Sequence, residues 1–246
     1  MRRFAFVCLL AVLAFVCSSS AKAQAVAGTL SYGITTSGEL TAATEAVQYT
    51  FSGKSQDIVI ITLAQDGVDS SLAPQINLLD SSGKAIVDTS NQLAITRAVL
   101  AVALSADGTY TIVATHQTAD NPDSPGLKGK FALSLALATP LLDGATLPDK
   151  TSSDQVQYYS FQTGSSFSLG YEKTSGVFTP TVAVNVIDQG ELKPIAEISG
   201  ENLKKGTLDV SVNAAQPYVI SVGQSTFDFA LTPVSAEYNL IARVDK

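Results

Sequence analysis

Val47-Gln48-Tyr49-Thr50-Phe51, followed by Asp107-Gly108-Thr109-Tyr110-Thr111-Ile112, is a strand grammar that the chain states twice. Val156-Gln157-Tyr158-Tyr159-Ser160-Phe161 is followed, at a closely similar distance, by Gln216-Pro217-Tyr218-Val219-Ile220. Side chains two apart share one face of a strand, so Tyr49 and Phe51 point together, as do Tyr159 and Phe161. A repeat of this kind in 246 residues predicts a duplicated domain, since domains most often run about 100 to 150 residues.

Outward from these stretches, apolar and polar residues alternate, and Gly, Asp, Asn, Ser or Pro breaks the alternation every ten residues or so. That is the grammar of β-sandwiches. Ile58 to Leu63 is apolar on both faces, as a covered central strand is. Ile76 to Leu79 runs into Asp80-Ser81-Ser82-Gly83-Lys84, a turn in which Asp bonds its own backbone and Gly supplies a positive φ. Ala94 to Leu104 has helix-forming residues but fits period two and reads as a strand. In the second half, Thr181 to Ile187 matches Ile76 to Leu79, each behind a proline, and Asp188-Gln189-Gly190 makes a hairpin. Leu208, Val210 and Val212 match Leu100 to Leu104. Thr139 to Lys150, with two prolines and a glycine, reads as a linker. The expected fold is all-β: two tandem jelly-roll-like sandwiches over 24–138 and 151–246, joined by 139–150.

Residues 1–23 read as a cleaved signal peptide. Arg2 and Arg3 precede an apolar run from Phe4 to Val16, and Ala21-Lys22-Ala23 has the small-x-small pattern of a cleavage site. The run is shorter than the roughly 20 apolar residues of a bilayer span, and Val16 before Cys17 is not the small neighbour that a lipid-modified cysteine wants. The expected mature protein is exported, periplasmic or extracellular, with no membrane span. Both cysteines, Cys8 and Cys17, leave with the leader, so no disulfide and no thiolate metal site is expected. Three of the 15 basic residues leave too, against 22 acidic ones, taking the formal net charge from −7 to about −10. An acidic chain without a basic cluster argues against nucleic acid as a partner.

Several motifs of the first half fall in a recognisable order: Tyr49-x-Phe51; Pro74-x-Ile76-x-Leu78-x-Asp80-x-x-Gly83; Leu104-x-x-Asp107-Gly108-Thr109-Tyr110-x-Ile112; and Gly129-x-Phe131-x-Leu133. Together they resemble the bacterial pre-peptidase C-terminal domain. In the second half Asn213 to Pro217 replaces the Asp-Gly-Thr turn, and Ala236-Glu237-Tyr238 lacks the glycine, so that copy is diverged. The resemblance implies a jelly-roll-like accessory of secreted bacterial enzymes, associated in relatives with protein or polysaccharide binding and sometimes with calcium. No peptidase domain accompanies the two copies here.

Catalytic signals are sparse. His116 is the one imidazole, without a nucleophile elbow beside it, and Gly164-Ser165-Ser166-Phe167-Ser168 ends in serine where that motif needs glycine. No enzymatic activity is expected. Calcium takes six to eight oxygens, and two acidic loops offer some: Asp66 with Asp69, and Asp120 and Asp123 around Asn121. Neither has EF-hand spacing, and such clusters are ordinarily solvated turns. Without tryptophan, a sugar platform falls to tyrosines; Tyr171, beside Glu172 and Lys173, and Tyr32 are the ligand-binding candidates, with Tyr158 a further exposed-ring candidate. The expected function is a non-catalytic module that recognises protein or polysaccharide at the bacterial envelope or exterior. The alternatives are a structural spacer or surface-layer component, or an accessory acting as chaperone or inhibitor of an exported peptidase.

Overall fold

The computed structural model describes residues 26–41, 44–67, 70–90, 96–117, 128–152, 154–177, 179–200, 203–212, 215–224 and 234–245. The leader and the candidate residues Asp69, Asp120 and Asp123 lie outside the described residues. Among the described residues all regular elements are strands, and no helix is long and apolar enough to cross a membrane.

The first copy contains β1 (Val26–Thr29), β2 (Thr35–Leu40), β3 (Ala46–Gly53), β4 (Ile58–Gln65), β5 (Pro74–Leu79), β6 (Ala85–Asp88), β7 (Arg97–Ala103), β8 (Gly108–His116) and β9 (Gly129–Leu137). Sheet A has the order β1-β3-β8-β5-β6 and sheet B the order β2-β9-β4-β7. Without the parallel edge strand β1, the remaining eight have jelly-roll connectivity. The second copy contains β10 (Thr139–Pro140), β11 (Thr146–Ser152), β12 (Gln157–Thr163), β13 (Phe167–Gly176), β14 (Pro180–Asp188), β15 (Glu191–Ser199), β16 (Lys205–Val210), β17 (Gln216–Gln224) and β18 (Ser235–Val244). Its sheets are C, β10-β12-β17-β14-β15, and D, β11-β18-β13-β16. Adding nine to every strand number of the first copy gives the second.

The expected linker is corrected by this correspondence. Thr139–Pro140 pairs in parallel with β12, as β1 does with β3, and Thr146–Ser152 pairs antiparallel with β18, as β2 does with β9. The prolines did not prevent this, because β10 and β11 are edge strands, where a missing N–H costs no ladder bond.

Each sandwich closes on its own core. Tyr49, Phe51, Val59, Ile61, Ile76 and Phe131 are among the buried residues of the first; Tyr159, Phe161, Phe167, Leu169, Tyr171 and Tyr238 are among those of the second. The turns follow the local chemistry. Asp80 Oδ1 accepts from the backbone N–H groups of Ser82 (2.8 Å) and Lys84 (3.0 Å), and Gly83 takes φ +82°. The Ser82 hydroxyl, which also donates to Asp80, and then those backbone bonds hold the Asp80 carboxyl below its usual range. Gln189 and Gly190, at φ 50° and 83°, form the two-residue connection between β14 and β15, the conformation that matches strand twist in hairpins.

A third apolar cluster joins the copies. Ile58, Ile60, Ala101 and Ala138, on the outer side of sheet B, pack with Val219 from the outer side of sheet C. Tyr158, Ile187 and Leu192 of sheet C border it. The two-faced apolar pattern of β4 therefore has two partners: Val59, Ile61 and Leu63 face their own core, while Ile58 and Ile60 face the other copy. The hairpin tip adds a backbone bond, Ala101 N–H donating to the Gly190 carbonyl at 2.8 Å. A Cβ at Gly190 would come within 2.6 Å of Val87 Cγ2, so only glycine fits there without displacement.

Candidate binding face

Sheet pleating assigns the residues of β13 alternately to the core and to the outer side. Phe167, Leu169 and Tyr171 go inward; Ser168, Gly170 and Glu172 are left on the outside. Register places three rows on this outer face. Arg243, Ser168 and Asp209 form one; Ile241, Gly170 and Thr207 form the next; Asn239, Glu172 and Lys205 form the third. Thr146 extends the middle row from β11. Because Gly170 has no side chain, the centre of the face sinks into a groove of about 340 Å³ with Gly170 on its floor. A Cβ at that position would meet Ile241 Cγ2 at 2.9 Å.

One row of the corresponding face in the first copy has the opposite character. Val59 pairs with Val102 and Leu137 as Phe167 pairs with Val210 and Val244, so Ile60, Ala101 and Ala136 occupy the positions of Ser168, Asp209 and Arg243. The apolar row is buried between the copies; its polar counterpart is open. The exchange is reciprocal, since Tyr158 and Val219 on the covered face of sheet C stand where Gln48 and Thr111 stand on sheet A.

Electrostatically the groove combines two cations, Arg243 and Lys205, with one acid, Glu172. Lys205 Nζ lies 4.0 Å from Glu172 Oε1 with both side chains more than half exposed, which makes a weak and exchangeable pair. The Arg243 guanidinium has no hydrogen bond or ion pair among the described residues. Hydroxyl and amide groups of Thr146, Ser168, Thr207 and Asn239 supply the remaining polar lining.

Beneath one end of sheet D lies a second departure from the first copy. By the same register, Tyr171, Tyr238 and Asp149 stand where Leu63, Phe131 and Gly38 stand in the first sandwich. Tyr159 O–H donates to Asp149 Oδ2 at 2.7 Å, and the Tyr159 and Tyr238 hydroxyls are 2.5 Å apart. With the Tyr159 proton directed to the carboxylate, Tyr238 donates to Tyr159. Burial pushes both phenols well above the ordinary tyrosine range. Tyr171, packed against Tyr238 with ring centroids 5.6 Å apart, is also raised by burial, to about 12, and its hydroxyl is buried with no hydrogen-bond partner among the described residues.

The ligand-binding candidates from sequence occupy other places. Tyr171 is 1% exposed, correcting the expectation of an open platform: its charged neighbour Glu172 alternates outward and Tyr171 inward. Tyr32 is half-buried against Phe51, donates to the Ser52 carbonyl at 3.2 Å, and is pushed up to about 12 chiefly by burial. Tyr158 belongs to the contact between copies, where its hydroxyl meets Arg97. Asp66 is exposed at the end of β4, its N–H bonded to the Lys130 carbonyl. Among the described residues no group of three or more His, Cys, Asp or Glu is placed to hold a metal. His116, half-buried at the end of β8, has Nδ1 3.1 Å from the Gln117 carbonyl.

No family model and no curated protein matches the chain. Among solved structures, it is similar to a crystal structure of a protein from Eubacterium rectale thought to be secreted. That similarity has 12% sequence identity and a TM-score of 0.30, covering 86% of this chain and 74% of the other.

Proposed function

We propose that this protein is an exported, non-catalytic binding module that holds an extended polar ligand, a polysaccharide or a protein segment of the bacterial envelope or exterior, on the outer face of sheet D. The carrying observation is the difference between equivalent faces. In the first copy the Ile60–Ala101–Ala136 row of that face is apolar and packed against the second sandwich; in the second copy its counterpart, Ser168–Asp209–Arg243, is polar and open, beside a hollow at Gly170. The leader pattern supports export, and the resemblance of both halves to the pre-peptidase C-terminal domain supports a binding role. Filling the groove tests the reading. In Thr207→Trp, an exposed edge position, binding to envelope polysaccharide and protein fractions measured by biolayer interferometry falls at least about tenfold, the equivalent of losing about 1.4 kcal/mol. Thr109→Trp, on the outer side of sheet A, leaves it unchanged. Undiminished binding by the groove variant, with its melting temperature intact, would refute the assignment.

A further inference from the structure

We infer, resting on the reading of sheet D as the binding face, that its ligand is an anionic polysaccharide whose carboxylates pair with Arg243 and Lys205. The chain has a formal net charge of −7 with 22 acidic residues, yet the groove lining holds two cations and a single acid. Asp209 stands beyond Ser168 on the edge strand and outside that lining. The lining's formal charge of +1, on an acidic molecule and with Asp209 at the far end of the Arg243 row, makes the hollow the place on this face that attracts an anion. Arg243 brings a planar fork suited to a carboxylate, and no described residue occupies it.

The placement of the cations suits a polymer. Arg243 on β18 and Lys205 on β16 are separated by two strand spacings across the sheet and four residues along it. With about 4.8 Å per strand and about 3.4 Å per residue, their Cα atoms lie roughly 17 Å apart. Gly170 is at the midpoint of that diagonal, giving a bare floor between two charged ends. A chain bearing a carboxylate on successive sugars can reach both ends while its rings cross the glycine.

Saccharide is favoured over acidic peptide by what the face lacks. Strands β13 and β18 are paired on both sides, so the floor offers no free backbone edge for a peptide strand to extend. The lining hydroxyls and the Asn239 amide both donate and accept, as sugar hydroxyls do.

The test titrates the full mature chain, in low salt, with polygalacturonate, with its fully methyl-esterified neutral form, and with polyglutamate. Polygalacturonate binds best, and binding weakens as salt is raised because the exposed charges are screened. Arg243→Gln and Lys205→Gln each weaken it by about tenfold or more, the size of one charge-assisted hydrogen bond, with unchanged melting temperature, while Lys84→Gln on the first copy has no effect. Equal binding of the neutral ester, blocked by Thr207→Trp, would overturn the anionic assignment but keep the face. Polyglutamate binding as tightly as the polyuronate overturns the saccharide assignment. Binding insensitive to Thr207→Trp overturns the face itself, and no binding of polygalacturonate overturns the inference.

Discussion

Tyr171 carries a buried hydroxyl with no partner among the described residues, in a core position that the first copy fills with Leu63. An unsatisfied buried hydroxyl costs stability, whereas a bonded one contributes modestly. Tyr171→Phe is therefore expected to raise the unfolding free energy by up to about 1 kcal/mol in urea denaturation. Tyr159→Phe should lower it by about 1–3 kcal/mol, because it strips Asp149 and Tyr238 of their shared partner. Alkali offers a second readout. In the unfolded chain a tyrosine ionises near 10.0, but folded Tyr171 keeps its proton to about 12. The folded pKa is raised, so the associated stability is fully present below pH 10 and is lost as pH climbs towards 12. Wild-type protein should lose about 1.4 kcal/mol per pH unit for each tyrosine so held. In Tyr171→Phe that slope should be shallower; an identical slope would show that Tyr171 titrates normally.

Hairpin β14–β15 shows how one element serves both folding and docking. Gly190 supplies a positive φ for the turn, a carbonyl for Ala101 N–H, and the space beside Val87. Gly190→Ala combines backbone strain with a clash and is expected to destabilise by about 1–3 kcal/mol, with accelerated hydrogen exchange at Ala101. Protection at Ala101 unchanged from wild type would mean that the tip does not hold the copies together. The hairpin was legible from Asp188-Gln189-Gly190, as was the Asp80 turn, because both depend on residues adjacent in sequence. Strands β10 and β11 were not: Pro140, Gly144 and Pro148 punctuate the segment as a linker would, and only their pairing partners, β12 and β18, reveal edge strands. The binding face was illegible for a related reason. Alternation shows that Ser168 and Gly170 are opposite Phe167 and Leu169, but not which outer face another domain will cover. The available signal was the comparison of copies, with Ile60 in β4 against Ser168 in β13.

For the whole molecule, the Ile58–Ile60–Ala101–Val219 contact is expected to couple the melting of the two sandwiches. Ile60 is 1% exposed, and Ile60→Ala should cost about 2–5 kcal/mol, the range for emptying a buried aliphatic site. Calorimetry should show one endotherm in the wild type and two, for separately melting sandwiches, in the variant. A single unshifted endotherm would argue that the contact carries no coupling. Two repeats packed through unlike faces form a head-to-tail arrangement, and such an arrangement propagates without limit when each added unit presents the surface that captured it. Here neither outward face repeats that surface. The outer side of sheet D offers Ser168 and Arg243 where an incoming sheet C would need Ile60 and Ala136, and the outer side of sheet A offers Gln48 and Thr111 where an incoming sheet B would need Tyr158 and Val219. The two outward faces thus lack the apolar residues through which the copies adhere, and that adhesive pair of surfaces is concealed between them.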